Sequence, residues 1–206
     1  MMDGWARRRL DPALDAIGRR LAGAGISANA VTLAACVIGL AAATAIALGH
    51  LWLGLALILV SRLGDGLDGA VAKALGKTDF GGYLDIVLDF VFYGAIPLAF
   101  VILDPVANGI AGATLIAVFY ANGASFLAYA IMAEKRGLTS DARGPKSLFF
   151  ATGLAEATET IAVFVAFCLF PAWFPVLAFA FAALTGYTAL SRIVLAGKVF
   201  GGKNGT

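Results

Sequence analysis

At 206 residues the chain has the length of one domain, and 61% hydrophobic against 14% charged residues is too apolar for an ordinary soluble fold. The formal net charge of +2 is small, no nucleic-acid partner is expected, and the information lies in where the charges sit. Cys36 and Cys168 both fall inside apolar segments and read as small buried hydrophobes, with no disulfide or zinc pattern.

Residues 1–27 read as an amphipathic approach helix: Arg7, Arg8, Arg9, Arg19 and Arg20 alternate with Leu10, Leu14, Ile17 and Leu21 at helical spacing. Such a basic helix lies on an anionic leaflet. Gly23 and Gly25 end it, and Ser27 or Asn29 caps the next helix. Apolar stretches reaching the ~20 residues that cross a bilayer then recur. The first lacks a convincing cleavage site and is read as a retained helix. Six spans are expected, at 28–48, 51–75, 81–103, 108–133, 146–170 and 173–197, with a tail at 199–206. The connections at His50, Asp104–Asn108 and Pro171–Pro175 carry no lysine or arginine. Every basic residue except Arg62 falls on or near the opposite side, which puts both termini in the cytoplasm. No internal repeat supports an inverted-repeat transporter. The expected fold is therefore all-α: a polytopic membrane protein of six transmembrane helices preceded by an interfacial helix.

The chemistry concentrates between residues 65 and 89. Asp65 and Asp68 are spaced i, i+3, and Asp85 and Asp89 are spaced i, i+4, so on two helices each pair shares a face. The topology puts all four about one to three turns below the cytoplasmic surface, on helices joined by a tight turn. Four carboxylates brought together in an apolar setting need a counter-charge, and hard divalent cations such as Mg²⁺ or Mn²⁺ supply it. Gly69, Gly76, Gly81 and Gly82 leave room for a ligand to approach the backbone. The pattern indicates metal-assisted phosphate chemistry in a cavity open to the cytoplasm and flanked by lipid.

The same stretch resembles the signature of the CDP-alcohol phosphotransferases (CDP-alcohol phosphatidyltransferases), D-x2-D-G-x2-A-R-x8-G-x3-D-x3-D. Here it runs Asp65-x2-Asp68-Gly69-x2-Ala72-Lys73-x7-Gly81-x3-Asp85-x3-Asp89. Asn29-x2-Thr32 is similar to the Pro-Asn-x-x-Thr that opens the first span in many members, with Ala28 in place of proline. Lys73 stands for the family arginine, keeping the charge but not the bidentate fork, and the spacer before Gly81 is one residue short. The chain is most similar to small bacterial inner-membrane members, and the likeness spans residues 28–198 and the helix before them.

The resemblance implies transfer of a phosphatidyl group from CDP-diacylglycerol to a small alcohol or phosphoalcohol, with release of CMP. It implies Asp65, Asp68 and Asp85 as ligands of one or two Mg²⁺ or Mn²⁺ ions. Asp89 is expected beside them, as a further candidate ligand of the metal and as general base on the acceptor hydroxyl. Asn29, Thr32, Asp65, Gly69, Lys73 and Gly81 would contact the cytidine diphosphate. A homodimer is also implied, and the glycine- and alanine-rich spans permit close packing. A soluble CDP-alcohol with a lipid acceptor is the variant within the class. A rival of another class is a cation pathway, since intramembrane carboxylates also mark ion carriers. That rival requires polar residues continuing to the far side, where spans two and three are almost wholly apolar.

The remaining charges near the spans suggest two further roles. Arg62, Glu156 and Glu159 fall at a similar depth, so Arg62 is expected to pair with one glutamate and tie span two to span five. Alternatively, one glutamate faces the cavity and selects the acceptor. Arg143 and Lys146, which flank Gly144-Pro145, and Arg192 near the end of span six, are candidates for binding an acceptor phosphate.

Overall fold

The computed structural model describes residues 3–138 and 157–201. All regular structure among them is helical. An N-terminal helix α1 (Asp3–Gly23) precedes α2 (Ala28–Ala47), α3 (Leu51–Leu75), α4 (Asp79–Leu103), α5 (Pro105–Lys135), α6 (Ala157–Leu169) and α7 (Phe174–Phe200). A short 3-10 turn at Pro171–Trp173 leads into α7. The helix ends obey local chemistry. Gly25 closes α1 with φ +79°, and the Ser27 hydroxyl accepts a bond from the Ala30 amide to start α2. Asp104 accepts from the Ala107 amide and, with Pro105 in the first turn, starts α5 directly after α4.

Four of the helices are long and apolar enough to cross a membrane: α2, α4, α5 and the final helix with its 3-10 lead-in. The six expected spans include two more. The 25-residue α3 has the length but carries Arg62, Asp65, Asp68 and Lys73 in its second half, which lowers its hydropathy. Helix α6 is apolar and is described over 13 residues only.

Two contrasting regions organise the bundle. Phe92, Phe100, Phe164, Phe167 and Phe174 are fully buried and pack edge-to-face or stacked; the Phe167 and Phe174 centroids are 4.6 Å apart. This aromatic core fills the half of the bundle remote from the α3–α4 turn. Helices α2 and α3 share the largest interface, with α4 against α2. A Cβ on Gly39 of α2 would lie 2.7 Å from the Phe92 ring and 3.0 Å from Ser61 Oγ, so glycine is what lets these three helices converge. Helix α1 docks on the C-terminal half of α3: a Cβ on Gly18 would meet Ala70 at 2.7 Å, and Lys73 Nζ bonds Asp15 Oδ2 at 2.7 Å. The approach helix thus has a protein partner in α3.

Candidate active site

The turn between α3 and α4 sets the site. Gly76 ends α3 with φ +101°, a conformation that L side chains rarely adopt, and the Thr78 hydroxyl accepts from the Gly81 amide at 3.0 Å to start α4. The chain reverses there, and the acidic faces of the two helices meet. One oxygen from each of Asp65, Asp68 and Asp85 lies within 4.8 Å of the others. Asp68 is 6% exposed, and its Oδ2 is buried without a hydrogen-bond partner among the described residues. An orphaned carboxylate oxygen at that depth is costly unless a cation satisfies it. An ion of Mg²⁺ size binds oxygen at about 2.1 Å, so opposing ligands stand about 4.2 Å apart. The observed oxygens, within 4.8 Å of one another, stand close to that span. The residues present therefore fit a hard divalent cation.

A cavity of about 450 Å³ opens beside Asp68 and Asp85. Asn29 and Thr32 of α2 line one wall, Gly69 and Ala72 of α3 a second, and Gly81 of α4 a third. A Cβ on Gly69 or Gly82 would meet nothing within 4 Å, so both glycines leave open space rather than relieve a helix contact. A Cβ on Gly81, by contrast, would crowd Thr78 Oγ1 and Asn29 Oδ1. Four residues expected at the nucleotide, Asn29, Thr32, Gly69 and Gly81, thus line one cavity together with two of the acids. Ser27, Gly76, Lys77, Thr78 and Gly82 line it as well, and sequence reasoning did not single out Ser27, Lys77 or Thr78 for that purpose. Their position in the two turns that close the cavity was the available signal.

Two residues make contacts that the sequence did not suggest. Lys73 is 68% exposed at its side chain, bonds Asp15, and is not among the cavity-lining residues; Lys77 is the lysine on that wall. The one-turn offset between them arises because the α-helix ends at Leu75, after which the chain turns back over the cavity. Arg62 is also differently engaged. Its Nη1 lies 2.7 Å from Asp89 Oδ1 and 3.4 Å from Asp65 Oδ1, and no ion pair joins it to Glu159 among the described residues. At i, i+3 from Asp65, Arg62 shares the face turned to α4. Glu159 Oε2 is buried without a hydrogen-bond partner among the described residues. Glu156, Arg143 and Lys146 lie outside the described residues.

Asp89 stands apart from the trio of acids. Its Oδ1 accepts from Arg62, and its second oxygen has no bond among the described residues. Arg192 Nη1 donates to Asn122 O, Asn122 Oδ1 and Ser125 Oγ at 2.8–3.1 Å, joining α7 to α5.

Comparison with known proteins bears on this arrangement. The sequence model of the family described as CDP-alcohol phosphatidyltransferase matches residues 25–196. The chain belongs to this family. It is 42% identical over 193 residues to the inner membrane protein YnjF of Escherichia coli, covering 94% of each chain. It is 29% identical over 194 residues to an archaetidylinositol phosphate synthase of Methanothermobacter thermautotrophicus, covering 91% of this chain and 88% of that one. In fold it is similar to Mycobacterium tuberculosis phosphatidylinositol phosphate synthase (PgsA1), solved with CDP-DAG bound, with a TM-score of 0.63 at 21% identity. That likeness covers 89% of this chain and 93% of the other. The protein is a multi-pass CDP-alcohol phosphatidyltransferase, and the matched residues include the whole of the α2–α4 site.

Proposed function

We propose that this phosphatidyltransferase moves a phosphatidyl group from CDP-diacylglycerol to a small alcohol or phosphoalcohol and releases CMP. The observation that carries the reading is the buried, unpartnered Asp68 Oδ2 within the Asp65–Asp68–Asp85 trio, on the wall of a cavity of about 450 Å³. Asp65, Asp68 and Asp85 would hold Mg²⁺ or Mn²⁺, which when bound neutralises the pyrophosphate and eases departure of CMP. Asn29, Thr32 and the open backbone at Gly69 and Gly81 would receive the cytidine diphosphate, and Lys77 would meet its phosphates. Asp89, held at Oδ1 by Arg62, would use its other oxygen to take the proton from the acceptor hydroxyl. The acceptor oxygen then bonds to the phosphorus carrying the diacylglycerol, and the bond from that phosphorus to the CMP oxygen breaks.

CDP-diacylglycerol as donor is supported by the CDP-DAG in the similar PgsA1 structure. The archaetidylinositol phosphate synthases among the relatives put phosphorylated polyols first among acceptors to test. Arg192, with Ser125 beside it, is the described cation proposed to meet an acceptor phosphate, with Arg143 and Lys146 as its partners. The same reading places the protein in a bacterial inner membrane as a homodimer, with termini and site on the cytoplasmic side; the relative named inner membrane protein YnjF supports the location.

The test is CMP release by the purified protein in detergent with Mg²⁺ or Mn²⁺ and CDP-diacylglycerol against a panel of alcohols and phosphoalcohols. Acceptor-dependent release that disappears in Asp89→Asn supports the reading. Release only with soluble CDP-alcohols would replace the donor. No release with either would send the question to ion-flux assays.

A further inference from the structure

Arg62 is held among the site carboxylates by its two terminal nitrogens, with its Nε buried and without a hydrogen-bond partner among the described residues. Its side chain is 8% exposed, with Nη1 2.7 Å from Asp89 Oδ1 and 3.4 Å from Asp65 Oδ1. Nη2 donates to Ser61 Oγ at 3.3 Å, and Ser61 donates to the Ala35 carbonyl at 2.8 Å. The guanidinium carbon lies 3.9 Å from the centroid of the Phe92 ring. Helices α2, α3 and α4 all contribute to this seat. A guanidinium is planar, rigid and charged at any pH a protein survives, so it does not yield its place by losing a proton.

Two binding positions can be drawn among four carboxylates. One is where the oxygens of Asp65, Asp68 and Asp85 converge, and the orphaned Asp68 Oδ2 belongs to it. The other lies between Asp65 and Asp89, and Arg62 already contacts both. A divalent cation there would compete with Nη1 for the same oxygen of Asp89. It would also face a like charge that is stacked on Phe92.

We propose that Arg62 is a positioning residue that takes the place of a second divalent cation. The chain holds one ion, on Asp65, Asp68 and Asp85, and the bond to Arg62 keeps Asp89 out of the metal set. This rests on the metal-dependent reading above and fixes the ion count that reading leaves open.

The experiment is Mn²⁺ binding to the full chain in detergent, stripped with EDTA and monitored by electron paramagnetic resonance. Wild type is expected to bind one Mn²⁺ per chain with the spectrum of an isolated ion. Arg62→Met is expected to bind two with a spin-coupled spectrum, and Arg62→Lys one. Asp89→Asn should leave the Mn²⁺ affinity of the wild-type site within about threefold, while Asp68→Asn weakens it by at least about tenfold. Two coupled ions in wild type, a single ion in folded Arg62→Met, or a tenfold loss in Asp89→Asn would each overturn the role given to Arg62. The wild-type and Asp89→Asn measurements decide the matter even where Arg62→Met does not fold. A wild type that binds no Mn²⁺ would instead overturn the metal-dependent reading itself.

Discussion

Asp68 and Asp89 carry the same functional group, yet their surroundings give them different work. Asp68 is buried with one oxygen unpartnered among the described residues, whereas Asp89 is paired with Arg62 and keeps one oxygen open. Asp89→Asn is therefore expected to lower acceptor-dependent CMP release by at least about 100-fold while donor binding persists. Rate and binding assays on one preparation check this; a rate within a few-fold of wild type would remove Asp89 from the chemistry. The two lysines separate similarly. Lys77→Ala should raise KM for the CDP donor by about tenfold, the scale of one lost charge-assisted phosphate contact. Lys73→Ala should change it less than about threefold, because an exposed ion pair to Asp15 contributes only about 0–1 kcal/mol. The reverse ranking would restore Lys73 to the nucleotide. At this scale the identity of the acids was legible in their spacing. The partners of Lys73 and Arg62 were not, because depth along a helix can be read from residue counts and direction across a bundle cannot.

At the scale of helices, glycine serves opposite ends at Gly18 and Gly69. Gly18 is a contact residue: a Cβ there would lie 2.9 Å from the Ala70 backbone carbonyl carbon, which cannot move aside. Gly18→Leu should push α1 off α3 at a cost of about 1–3 kcal/mol, seen as a lower Tm in detergent or as new protease cleavage near residue 24. Gly69 adjoins open space, so Gly69→Leu should leave Tm unchanged and abolish CDP-donor binding by filling the cavity. A stable, fully binding Gly69→Leu would show that the donor sits elsewhere. Helix limits themselves were largely legible. The caps at Ser27, Thr78 and Asp104 and the positive-φ glycines Gly25 and Gly76 are local devices. The docking of α1 on α3 was not legible, since a basic amphipathic pattern suits a lipid surface and a helix partner equally.

For the whole molecule, an aromatic core and a polar cavity divide the bundle between them. Phe100, Phe167 and Phe174 fill the end remote from the α3–α4 turn with ring-to-ring packing, which leaves an ion entering at Asp85 a dry aromatic barrier ahead. Proteoliposomes should accordingly show no cation flux above protein-free vesicles. Chelation with EDTA should abolish CMP release, and added Mg²⁺ or Mn²⁺ should restore it. Flux without transfer would favour the carrier reading, and transfer indifferent to EDTA would remove the metal. The sequence by itself determined the membrane class, the helix order, the acidic signature and the family, because hydropathy, capping and i, i+3 or i, i+4 spacing are properties of neighbouring residues. Only the tertiary structure decided which three acids converge, that Arg62 seats Asp89, and that Lys77 rather than Lys73 borders the cavity. Those outcomes depend on the rotation of α3 against α2 and α4, which is fixed by close contacts such as Gly39 on Phe92 between residues far apart in the chain.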